Sequence, residues 1–125
     1  MNKVSSFEEA CKVLGYSSEI PDFSNAPEKH KNALLAHYKL VIIVEAINNG
    51  WKPNWSDHNE IKYELWPDIV KDGTRTSGFG LSFNVYANWP TSTAVGSRFC
   101  FYSREAARYC FDSFKTLWED YLLIG

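Results

Sequence analysis

The run Leu81-Ser82-Phe83-Asn84-Val85-Tyr86-Ala87-Asn88 alternates residues that seek a core with residues that tolerate water. Successive side chains of an extended strand point to opposite faces, so the run predicts a half-buried antiparallel strand with Leu81, Phe83, Val85 and Ala87 facing inward. Upstream, Ile61, Tyr63 and Leu65 alternate with Lys62, Glu64 and Trp66, giving another strand that Pro67 limits or places at a sheet edge. Asp72-Gly73 marks a turn. Downstream, Trp89-Pro90 ends the run, Thr91 to Ser97 forms a loop, and Arg98 to Tyr102 supplies a third strand.

Helices flank this block. Ser103 is placed to cap a last helix whose apolar residues Ala107, Cys110, Phe111, Phe114, Leu117, Trp118 and Tyr121 recur at threes and fours. Glu105, Arg108, Asp112, Thr116 and Glu119 collect on its opposite face. Before the strands, Pro27 suits the first turn of a long helix that ends at Gly50. The second half of that helix, Leu40 to Ile47, is apolar nearly all round apart from Glu45, so it is expected to be the enclosed spine of the core. Ser6, with Glu9 three residues on, opens a first helix from Phe7 to Leu14 that Gly15 closes, and Tyr16 to Ala26 reads as a loop. The order α, α, β, β, β, α predicts an α+β fold. Its form is a three-stranded antiparallel meander with two or three helices packed mainly on one face, in one globular domain over residues 1–125.

A chain of this length buries roughly two thirds of its unfolded surface, so its core needs neither disulfide nor metal. Cys11, Cys100 and Cys110 include no CxxC pair and read as reduced, mostly buried thiols. With 13 basic and 15 acidic residues, the formal charge of −2 gives no field able to recruit nucleic acid or an anionic membrane unaided. The first ten residues contain no apolar secretory core, and Leu40 to Val44 is far short of a bilayer span, which predicts a cytoplasmic protein. Aromatic residues make up 16% of the chain, an excess that can fill a core or furnish a binding surface.

Catalytic chemistry has little to stand on. Glu45 falls on the apolar side of its helix with Leu34, Tyr38 and Val41, so it is a candidate buried charge that, if desolvated, could act as acid or base. The plainer reading pairs it with an arginine or a tyrosine hydroxyl, or places it at the rim. His30 and His37 lie two helical turns apart, about 10 Å along the axis and too far to share a metal. His58 sits beside Asp57 and Glu60 in a polar segment without a ligand pattern. Thr74 to Gly80 has the small residues and arginine of a phosphate loop, yet it precedes a strand and lacks the Gly-Lys-Ser/Thr ending, so a hairpin connection is the better account. No nucleophile motif occurs, and no catalytic residue, metal site or cofactor is assigned.

Two aromatic surfaces are more informative. Alternation places Lys62, Glu64, Trp66, Ser82, Asn84, Tyr86, Cys100 and Tyr102 on the sheet face away from the helices, a face able to dock a protein, bind a small ligand or stack bases unless helix one or the 67–80 segment covers it. The second is Trp51-Lys52-Pro53-Asn54-Trp55, where two tryptophans can anchor a partner or lid the core at the helix-to-strand crossing. The candidate binding residues are therefore Trp51, Trp55, Lys62, Trp66, Tyr86, Arg98 and Tyr102.

Tyr38-Lys39-Leu40, the motif Ala46-Ile47-Asn48-Asn49-Gly50-Trp51-Lys52-Pro53-Asn54-Trp55, and Gly96-Ser97-Arg98-Phe99-Cys100-Phe101 leading into Ser103-Arg104-Glu105-Ala106 together resemble a family of small proteins from gut Bacteroides and their phages, crAss-like phages included. The resemblance covers most of the chain from the second helix onward. It implies a phage, prophage or mobile-element protein in a bacterial cytoplasm or virion, and assigns no residue a role. The leading expectation is a noncatalytic interaction or accessory protein that binds another protein or itself. The rival is single-stranded nucleic-acid binding through Trp66, Tyr86 and Tyr102 with Lys62 and Arg98, and the third is an acid-base enzyme built on Glu45. No membrane partner is expected.

Overall fold

The computed structural model describes residues 1–88 and 97–124; Trp89-Pro90 and the loop from Thr91 lie outside them. Helix α1 (Phe7–Leu14) opens on Ser6, whose Oγ accepts the Glu9 amide at 3.1 Å, and closes on Gly15 at φ 75°. The Glu9 carboxylate reaches Ser5 instead of completing the box on Ser6. Helix α2 (Lys31–Asn48) follows a single 3-10 turn at Glu28–His30 and buries Ala36, Leu40, Ile42, Ile43, Val44, Ala46 and Ile47. Its burial nearly all round agrees with the predicted spine: α1 packs on one side of it and the C-terminal helices on another.

The strands are β1 (Lys62–Leu65), β2 (Asp68–Lys71), β3 (Phe79–Ser82), β4 (Val85–Asn88) and β5 (Cys100–Phe101), and all their pairings are antiparallel. The fold is α+β, with helices first in the chain. Its three-stranded sheet has the order β4-β1-β5, which corrects the expected meander: the first strand is central, not the second, because the 79–88 arm folds back on one side of β1 and β5 pairs on the other. Tyr63 and Leu65 pack on the helical core, as their alternation predicts.

The deciding run 81–88 is divided between two sheets, β3 with β2 and β4 with β1. The two ladders nevertheless share one register. Leu65 pairs with Val85 and Asp68 with Ser82, and the Trp66 amide donates to the Asn84 carbonyl at 2.9 Å between them. Each step forward on one arm is a step back on the other, with no residue gained or lost, so residues 62–71 and 79–88 form one long hairpin interrupted at Pro67. Of the two expectations for Pro67, the strand β2 supports the sheet edge over an end to the pairing. Trp66 and Asp72 turn their amides toward the partner arm, so even-numbered residues face inward across the hairpin and Pro67 sits where an N–H would point outward. Losing that donor leaves the ladder intact.

The hairpin turn follows the sequence. Asp72 Oδ1 accepts from the Thr74 amide and hydroxyl, the Asp72 amide donates to Gly78 at 2.8 Å, and Gly78 takes the positive φ that a tight return needs. At the bend, Phe83 lies against Phe111, with the Arg108 guanidinium 4.4 Å from its ring centre.

The last helix is two helices, α3 (Arg104–Ser113) and α4 (Lys115–Leu122), broken at Phe114, whose φ of −128° is not helical. The break rotates α4 relative to the predicted stripe. Glu119, assigned from sequence to the polar face, is 5% exposed; its carboxylate accepts the Leu81 amide at 2.9 Å and meets Arg75 at 3.3 Å. Arg75 also approaches Asp120, so the distal hairpin is tied to α4 by charge-assisted bonds. Ser103 caps α3 through Oγ on the Ala106 amide at 3.0 Å. Ser103→Ala is therefore expected to lower stability by about 1 kcal/mol in urea unfolding.

Candidate functional site

The sheet face away from the helices is covered at one end and open at the other. Lys62, expected on an accessible surface, is 0% exposed. Its Nζ donates to the carbonyls of Asp57 and Glu60 at 3.1 and 3.2 Å, contacts the Glu60 carboxylate at 3.4 Å, and lies 5.3 Å from the centre of the Trp55 ring. The cover is the 51–60 segment, not helix one or the 67–80 segment, because a buried ammonium draws three oxygens of that loop over itself. Trp55 thus acts as a lid. Tyr102 is half-buried with its ring 6.2 Å from Trp51, closing the same edge.

Between the two ends, Glu64 and Cys100 are buried side by side, with the Cys100 thiol donating to the carboxylate at 3.4 Å. Burial, then the neighbouring Glu64, push the Cys100 thiol up to about 12, while burial raises the Glu64 carboxyl above its ordinary value of 4.5. A thiol held protonated in this way is a poor nucleophile. Cys11 and Cys110 are buried as well. Because folded Glu64 holds its proton more tightly than the unfolded chain does, its burial opposes folding above the folded pKa and is relieved as pH falls below it. Glu64→Gln is expected to raise the melting temperature at pH 7, with the gain shrinking as the comparison is repeated toward pH 4.

The open end carries Trp66 and Tyr86, 63% and 55% exposed, with ring centres 6.2 Å apart. The adjoining strand β2 is exposed throughout, Ile69 at 66%, and Phe79 is exposed across the ladder from Lys71. Register sets the backbone groups of Ile69 and Lys71 outward, and β2 has no second strand beside it among the described residues. The opposite edge of the hairpin is blocked, since the Leu81 amide is taken by Glu119 and the Val85 amide by the Asn84 side chain at 2.9 Å. Sequence reasoning found Trp66 and Tyr86 and missed Ile69, Val70 and Phe79; the β-branched pair Ile69-Val70 ahead of Asp72-Gly73 was the available signal.

A second assembly lies at the C-terminal end of α2. Glu45, the candidate buried charge, is exposed and follows the plainer reading: Tyr16 donates its hydroxyl to both carboxylate oxygens at 3.0 and 2.9 Å. That bond and the carboxylate's charge hold the Tyr16 hydroxyl above its usual pKa. Trp51 and Arg98, drawn from different parts of the sequence, meet Glu45 here around a recess of about 330 Å³. His37 is engaged elsewhere, edge-on to Tyr121 and Phe99, and among the described residues no cluster of three or more His, Cys, Asp or Glu side chains could hold a metal. No described helix is long and apolar enough to cross a membrane.

No family model matches the chain, and no curated protein or solved structure matches it either.

Proposed function

We propose that this chain is a noncatalytic interaction protein that receives an extended apolar segment of a partner protein as an added strand along the outer edge of β2. The observation that carries this reading is the exposure of Trp66, Ile69 and Tyr86 on a hairpin that Arg75 and Glu119 pin to α4. A pinned arm loses little freedom on binding, so more of the contact energy appears as affinity. An added strand would pair with the backbone groups of Ile69 and Lys71 and lay alternate side chains against Trp66 and Val70 on one face and Ile69 on the other. Pro67, Asp68 and Lys71 guard the same edge against indiscriminate pairing. The resemblance to Bacteroides and phage proteins supports a bacterial cytoplasmic setting of phage or prophage origin for this role.

Selection of a displayed random-peptide library on the chain tests it. Enriched peptides should alternate apolar and polar residues, and Ile69→Asp should weaken them about tenfold or more, as loss of one buried aliphatic contact implies. Failure to enrich any peptide, or enriched peptides indifferent to Ile69→Asp and Trp66→Ala, would overturn the reading. Concentration-dependent dimers in light scattering that Ile69→Asp dissolves would make the occupant a second copy of the chain instead.

A further inference from the structure

The recess at the end of α2 has unmatched groups of both signs. Asn48 is 8% exposed; its Nδ2 donates to the Cys100 carbonyl at 2.8 Å, which fixes the amide's orientation, and its Oδ1 is buried without a partner. Glu45, which also lines the recess, is bonded by the Tyr16 hydroxyl alone among the described residues. Lys52 and Arg98 line it too, and neither forms an ion pair with a described carboxylate. A carboxylate, two cations and the Trp51 indole thus border one space, with the opposite charges apart instead of paired.

We infer that this recess binds a small zwitterion, an apolar α-amino acid, with its ammonium toward Glu45, its carboxylate toward Arg98 and Lys52, and its side chain against Trp51. A bare anion would use the cations and meet the Glu45 charge as repulsion; a bare amine would do the reverse. Only a ligand carrying both charges satisfies the carboxylate and the cations. This site is separate from the β2 edge and stands independently of it.

Isothermal titration with phenylalanine, leucine, phenethylamine, 3-phenylpropionate and inorganic phosphate tests the inference on the full chain. One of the two amino acids should bind, and the two truncated analogues and phosphate should bind about tenfold or more weakly, the usual consequence of losing a charge-assisted contact. Glu45→Gln and Arg98→Gln, both at exposed positions, should each weaken the amino acid similarly while leaving the circular dichroism spectrum unchanged, and Ile69→Asp should leave its binding intact. Absence of heat with both amino acids, phosphate binding as tightly as they do, or equal binding by the two variants would overturn it.

Discussion

Replacing Glu119 with alanine is expected to lower the stability of the chain by about 3–5 kcal/mol, the range seen when one partner of a buried ion pair is removed. Two groups lose their partner together: the Arg75 guanidinium, whose Nε is already buried without one, and the Leu81 amide. Arg75 retains Asp120 at 3.7 Å, which is too long to replace the lost bond. Glu119→Gln keeps an acceptor for Leu81 and should fall about halfway between, since a neutral hydrogen bond is roughly half as strong as a charged one. Urea titration gives the magnitude. The location follows from proteolysis, because an unpinned hairpin should be cut first within the turn at residues 73–77.

Lys62→Ala is the second large effect, expected at about 2–4 kcal/mol from the lost stem beneath Trp55 and from the Glu60 carbonyl left without a donor, the Asp57 carbonyl keeping the Glu60 amide at 3.3 Å. Tryptophan emission should shift to the red as Trp55 loses its seat, and amides of residues 54–60 should exchange faster. Lys62→Met refills the space without a charge and is expected to recover part of the loss. The same burial decides what Lys62 contributes at the surface. It is occupied by the chain's own oxygens and offers no phosphate contact, so the polar-aromatic face that remains accessible is the Trp66 and Tyr86 end.

What was legible in the sequence followed from local rules. The caps at Ser6 and Ser103, the closing Gly15, the apolar spine Leu40 to Ile47 and the core-facing placement of Tyr63, Leu65, Leu81 and Phe83 each depend on residues close together in the chain, and each is where it was expected, whereas Ile61 and Ala87, assigned inward by the same alternation, are exposed. The features misread or left open depend on relations between distant segments. Pro67 left termination and an edge position open because the side its missing N–H would face is set by pairing with residues 82–84, which the sequence does not display. Glu119 looked solvated because a helix continued through Phe114 would put it outward; the break there turns it under the hairpin. For Glu45 the sequence left burial and a tyrosine-bonded rim position open, because periodicity marks the apolar side of a helix without saying how much of that side its neighbours cover; the structure has the rim position. The recess that joins Glu45, Asn48, Trp51 and Arg98 has the same origin, since Arg98 arrives from beyond the sheet.

Amide hydrogen exchange at single-residue resolution tests whether the outer edge of β2 is the docking edge. With a peptide selected on the chain, the amides of Ile69 and Lys71 should pass from rapid exchange to protection, while those of Asn49 to Lys52 stay as they were. Saturating peptide that leaves Ile69 and Lys71 exchanging at their free rates would contradict it.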